Sequence, residues 1–279
     1  MLLKDKVVLV TGAARGIGRA IAERVVAEGG QVAALDIVDA GSAVADELVA
    51  QGGRAMFARA DVRREDEVAR AVRSALEHFG AIDVLVNNAG VNAYLDATAM
   101  SESDWDDVFA VDLKAAWLTC KHVLPHLMAK RSGAIVNISS IHARLTSPGM
   151  FPYAAAKAGV EGLTRSLALD YGPHNVRVNA VAPGWIASSG MDKYPAAMRD
   201  HIRNLKDLSP MARIGTESEV SAAIVFLLSE AAAFISGATL RVDGAVPMTR
   251  PSRPLPKHKQ PAPAFNGFPL AETPKVLRD

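Results

Sequence analysis

The chain has 279 residues, about half of them hydrophobic, with 31 basic against 30 acidic side chains. This near-neutral balance, with few aromatics and no basic-aromatic stripe, gives no reason to expect nucleic acid as a partner. No charged leader precedes the first strand and no apolar run reaches the roughly 18 residues of a membrane span, so a cytoplasmic protein with neither signal peptide nor anchor is expected; the single cysteine fits a reducing compartment.

Strand-like runs alternate with helical ones from residue 6 to residue 242, predicting one doubly wound α/β unit with a parallel sheet. Val7 to Thr11 is a short β-branched run that ends at glycine, and Gly18 onward reads as a helix. Between them lies Thr11-Gly12-Ala13-Ala14-Arg15-Gly16-Ile17-Gly18. Glycines at 12, 16 and 18 let backbone turn sharply or approach a pyrophosphate, and the helix N-terminus offers N–H groups and the positive end of its dipole. A plain strand-to-helix turn would look similar.

Asp36 follows the second strand, Val32 to Asp36, where the adenosine ribose should lie if a dinucleotide drapes over the first turn. A carboxylate there accepts from a 2′-hydroxyl and repels a 2′-phosphate, and Ile37 offers no compensating charge. NAD is therefore expected over NADP, with Arg15 as the counterweight. The simpler reading of Asp36 is a strand-end or N-cap carboxylate. Further strands are predicted at Ala55 to Ala60, Ile82 to Val86, Ala134 to Ile138, Val176 to Ala180 and Thr239 to Val242, and long helices at Asp104 to Met128 and Tyr153 to Tyr171. Adding one edge strand to the Rossmann pattern gives the order 3-2-1-4-5-6-7.

The chemistry sits beyond the fifth strand. Ser140 emerges at its carboxyl end, the edge where open parallel sheets bind ligands, while strand alternation points Ser139 the other way. Tyr153 and Lys157 stand one helical turn apart on a shared face. A secondary alcohol gives up a hydride only as its hydroxyl proton leaves, so a base must stand beside the reacting oxygen. A free phenol, with a pKa of about 10, is too weak a base at neutral pH. An adjacent ammonium favours its ionised form, and a shift of two to three units corresponds to about 3 to 4 kcal/mol. Lys157 can also hold a ribose, and Ser140 can hold the substrate oxygen.

These motifs, with Asp61-Val62, Asn87-Asn88-Ala89-Gly90 and Pro183-Gly184, resemble those of the short-chain dehydrogenase/reductase family in order and spacing, from about Leu3 to about Val246. The resemblance implies a nicotinamide-dependent oxidoreductase with Ser140, Tyr153 and Lys157 as catalytic residues. It places Asp61 and Val62 beside adenine, Asn88, Ala89 and Gly90 along the cofactor cleft, and Pro183, Gly184, Ile186 and Ser188 at the nicotinamide end. It also implies a homotetramer. The resemblance adds Asp112 to the catalytic set, with one departure from the pattern: it stands in Val111-Asp112-Leu113 where family members commonly carry asparagine, a residue that helps hold a water in a proton relay behind the lysine.

Substrate choice is expected in a lid at about 187–212, with Met191 and Tyr194, and in the segment between serine and tyrosine, where His142, Leu145, Met150 and Phe151 could wall the pocket. A small, apolar alcohol or ketone is expected as partner, and no membrane. His122 and His126 share a spacing suitable for metal, but no third ligand is evident and no metal is expected. Cys120 reads as a buried helix residue. The Pro-rich extension at 247–279 cannot form a long helix, although Phe265 and Phe268 are apolar enough to dock. The lid and tail resemble bacterial members acting on acyclic terpenoid alcohols or related acyl chains. Two alternatives stay open: reduction of an activated carbon-carbon double bond, as in enoyl thioesters, and a catalytically idle NAD-binding sensor or scaffold.

Overall fold

Seven parallel strands form one sheet in the computed structural model, which describes residues 1–93, 95–188 and 209–246. They are β1 (Val7–Thr11), β2 (Gln31–Asp36), β3 (Arg54–Arg59), β4 (Val84–Asn87), β5 (Gly133–Ile138), β6 (Val176–Pro183) and β9 (Thr239–Val242). Two-residue strands β7 (Ile186–Ala187) and β8 (Gly215–Thr216) pair separately, so the expected order appears as β3-β2-β1-β4-β5-β6-β9. The helices are α1 (Gly16–Ala27), α2 (Ala40–Ala50), α3 (Glu65–Phe79), α4 (Glu102–Phe109), α5 (Ala115–Lys130), α6 (Phe151–Tyr171) and α7 (Glu217–Leu228).

Strand alternation divides the core between the two faces of the sheet. Val8 and Val10 of β1 join Ile21, Val25, Leu48 and Ile224 from α1, α2 and α7. Leu9 joins Val68, Val72, Val123 and Leu127 from α3 and α5 on the opposite face. Burial on both faces explains why β1 is an unbroken apolar run.

The carboxyl ends of β1, β2, β4, β5 and β6 share one edge, and the chain reverses its winding between neighbours β1 and β4. That reversal opens the crevice in which such sheets take ligands. β6 runs three residues further than predicted, because Ala180 to Pro183 pair with Thr239 to Val242.

The segment predicted as one helix from Asp104 to Met128 is corrected: α4 passes through a π-turn at Ala110–Lys114 before α5 begins. Such a turn adds one residue within continuous helical backbone, and no glycine or proline in Ala110–Lys114 marks it in the sequence. Asp112 lies in that turn. Most of the expected lid, including Met191 and Tyr194, and the whole extension from 247 to 279 with Phe265 and Phe268, fall outside the described residues.

Candidate active site

The glycine turn is packed too closely for side chains at two points. Gly12 has φ +66°, and a Cβ there would stand 2.9 Å from Ala89 Cα; one on Gly18 would stand 1.9 Å from the Gly12 carbonyl oxygen. Arg15, at the start of α1, is extended and supplies no capping side chain. The cradle thus combines close-packed backbone with the positive end of α1, a geometry that fits a pyrophosphate. Opposite it, the Thr11 hydroxyl accepts from the backbone N–H groups of Asn88 and Ala89, each at 3.0 Å. The Asn88 side-chain amide donates to the carbonyls of Thr11 and Gly12 at 3.0 and 3.1 Å. Strand β1 and the Asn88 to Gly90 loop are therefore one clamped unit, with Ile17 of α1 packed against the core beneath.

At the far end, Asp36 Oδ2 accepts from Ala14 N–H at 2.9 Å and Oδ1 from Val38 N–H at 3.2 Å. Ile37 is exposed beside it, and its carbonyl accepts from Arg59 Nε at 3.1 Å. Asp61 is gripped by Arg63, with Nη2 to Oδ2 at 2.8 Å, and the guanidinium beside it holds its carboxyl below the usual range. Val62 is buried next to it.

Beyond β5 the two serines part. Ser139 Oγ donates to the Lys157 carbonyl at 3.2 Å and is committed to α6. Ser140 Oγ accepts from His142 N–H at 3.2 Å, and among the described residues its own proton meets no acceptor. Pro152 is tolerated in the first turn of α6, and it brings Tyr153 and, one turn later, Lys157 under the loop. Tyr153, Lys157 and Ser140 are all buried. The Lys157 ammonium lies 5.5 Å from the Tyr153 ring centroid and donates to the Ile138 carbonyl at 3.1 Å.

The same ammonium stands 3.1 Å from Asp112 Oδ1 in a direct, buried ion pair. Asp112 Oδ1 also accepts from Val91 N–H at 3.2 Å, and a Cβ on Gly90 would come within 2.8 Å of that oxygen. Burial alone would lower the lysine, but attraction to Asp112 and Tyr153 outweighs it and leaves Lys157 above its ordinary value. Burial raises Asp112, and Lys157 offsets this only in part.

The pocket side is aromatic. The His142 ring meets Tyr153 edge-on at 6.1 Å and Trp185 at 5.9 Å, while its Nδ1 is 3.2 Å from Thr146 Oγ1. Burial holds His142 below the ordinary histidine value. Met150 is buried with Tyr153, Ala93 and Val108, Phe151 lies half-exposed against Trp105, and Leu145 is exposed. Pro183 ends β6, Gly184 N–H donates to the Val242 carbonyl at 2.9 Å, Ile186 is buried in β7, and Ser188 is half-buried just beyond it. Among the described residues no cluster suits a metal ion, and no helix is long and apolar enough to cross a membrane. Thr11 and Trp185 join the site through contacts that local sequence spacing does not carry. A hydroxyl closing a wholly buried strand was the available signal for the first; nothing local marks the second.

A family model described as Enoyl-(Acyl carrier protein) reductase matches residues 12–246. An uncharacterized oxidoreductase of Schizosaccharomyces pombe is 38% identical over 249 residues, which cover 88% of this chain and 92% of that protein. The 3-oxoacyl-[acyl-carrier-protein] reductase FabG of Chlamydia trachomatis is 39% identical, over 88% of this chain and 98% of its own. The crystal structure of levodione reductase superposes with a TM-score of 0.82 at 32% identity, covering 87% of this chain and 98% of that one. With a matching model over most of its length, relatives at this identity and the fold shared throughout, the chain belongs to the short-chain dehydrogenase/reductase family of nicotinamide-linked oxidoreductases.

Proposed function

We propose that the protein interconverts a secondary or allylic alcohol and its carbonyl compound, using NAD in preference to NADP. Bound nicotinamide supplies or accepts the hydride. Tyr153 exchanges the proton at the substrate oxygen, Ser140 donates to that oxygen as charge develops on it, and Lys157 keeps positive charge beside the phenol. The observation that carries this reading is the pairing of a Ser140 hydroxyl whose proton meets no acceptor among the described residues with a Tyr153 phenol backed by a buried ammonium. Support for NAD comes from the position of Asp36 at the end of β2, hydrogen-bonded into the glycine turn.

The carbonyl class most in keeping with the relatives is a 3-oxoacyl thioester, the substrate named in FabG. The description of the matching family model favours a second reading, reduction of an enoyl thioester at carbon-carbon double bond. A serine hydroxyl as donor and a phenol as acid suit an oxygen rather than a carbon as the protonated atom, so carbonyl chemistry is preferred. A homotetramer, by family likeness, would cover exposed apolar side chains such as Trp117, Leu169 and Phe234. An apolar substrate would suit the rings of His142 and Trp185, and a chain with a single cysteine suits a reducing, cytoplasmic setting.

The test is cofactor absorbance with NAD and NADP in parallel, against a panel of 2-octanol, geraniol, a 3-hydroxyacyl thioester, a 3-oxoacyl thioester and an enoyl thioester. Turnover of the alcohols or the 3-oxoacyl thioester, lost in Tyr153→Phe, is expected. Exclusive turnover of the enoyl thioester would transfer the assignment to the second reading, and full activity of Tyr153→Phe would refute the acid-base role.

A further inference from the structure

The Asp112 carboxylate is a buried charge for which the proposed chemistry has no use. Its side chain is wholly buried, yet Oδ2 has no hydrogen-bond partner among the described residues. Oδ1 receives a single backbone N–H, from Val91, and the Lys157 ammonium. A carboxylate bonded by several backbone donors has its charge largely offset in place; Asp112 does not, so its field falls on the ammonium. A cavity of about 10 Å³, bounded by Asp112, Lys157, Asn87 and Thr119, adjoins the pair. That is room for about one water, which screens the charge far less than bulk solvent does.

We propose that Asp112 is a positioning residue that competes with the Tyr153 phenolate for the Lys157 ammonium and so sets how alkaline the medium must be for alcohol oxidation. The proposal rests on the reading of Tyr153 as the proton acceptor. Before the phenol ionises, Asp112 and Lys157 cancel; afterwards two anions share one cation. With a neutral residue at 112, the ammonium would face the phenolate alone. The other charged groups around the pair are engaged elsewhere or neutral. On α6, Glu161 is paired with Arg144 at 3.2 Å and Arg165 at 4.0 Å. From the π-turn, Lys114 reaches the Arg63 carbonyl, and Asp61 is held by Arg63. His142 is held towards its neutral form by burial, and the Cys120 thiol on α5 is pushed up to about 12.

The experiment is the pH dependence of kcat/KM for oxidation of whichever panel alcohol turns over fastest, in wild type and Asp112→Asn. The variant keeps the acceptor for Lys157 and Val91 and removes the charge. Its midpoint is expected about one pH unit lower, giving about tenfold higher kcat/KM on the acid limb. An unchanged or raised midpoint overturns the proposal, since a residue that merely fixes geometry would lower activity without moving the midpoint downward. Asp112→Ser provides the same reading if the first variant fails to fold. If Tyr153→Phe retains oxidation, or no alcohol turns over, the reading of the activity fails and the proposal falls with it. A fixed midpoint in an enzyme that does need Tyr153 overturns the proposal alone.

Discussion

Asp36 accepts the backbone N–H of Ala14 at 2.9 Å, tying the end of the second strand to the glycine turn that follows the first. The carboxylate that would meet a ribose also holds the loop that would meet the pyrophosphate. Replacing it with alanine removes both supports at once. Hydrogen bonds to charged groups contribute about 1.5 to 3 kcal/mol, so kcat/KM with NAD should fall by about tenfold to a hundredfold in Asp36→Ala. NADP should suffer less, because a repulsion to its 2′-phosphate disappears together with the loop contact. Parallel kinetics with both cofactors would show this as a changed ratio; an unchanged ratio would mean that Asp36 serves the loop alone.

The parts of the site legible in the sequence are those fixed by local spacing. Tyr153 and Lys157 share a helical face because of a four-residue separation, and the glycine turn follows from a strand, small residues and a helix in succession. The partition of Ser139 towards α6 and Ser140 away from it follows from strand alternation. What could not be read depends on partners distant in the chain. Thr11 clamps residues 88 and 89, Trp185 reaches His142, and Asn87 donates to Asn137 at 2.8 Å in a network that also takes in Thr119 and Thr164. The direct Asp112–Lys157 pair is of the same kind, because the π-turn that carries Asp112 is hidden inside a continuous helical pattern.

His142 offers a pH dependence that can be separated from the reaction. Burial holds its folded-state pKa below the ordinary value, so between the two values the unfolded chain binds more protons than the folded one. Stability tied to this residue is therefore present above the unfolded value of about 6.5 and is lost as pH falls through the folded one. His142→Gln cannot take up that proton. The urea midpoint of wild type minus that of the variant should decline as pH is lowered from about 7.5 to about 5.5. A difference that stays constant across the window would mean that the imidazole charges freely in the folded protein.

Lys157 carries a structural as well as a chemical burden, since it is the only ammonium recorded against the Asp112 carboxylate among the described residues. Lys157→Met leaves that carboxylate buried and unpaired, which should cost about 3 to 5 kcal/mol at neutral pH and abolish turnover. Burial already raises the folded-state pKa of Asp112, and loss of the lysine raises it further. The folded variant then binds a proton more readily than its unfolded chain, so its deficit against wild type should shrink as pH falls towards the unfolded value of about 3.9. Adding Asp112→Asn should restore much of the stability without restoring activity, because the charge is gone but the ammonium is still missing. Denaturant unfolding of the single and double variants at two pH values checks each step. A deficit independent of pH and unrelieved by the second substitution would show that packing of the lysine stem, rather than its charge, is what the fold requires.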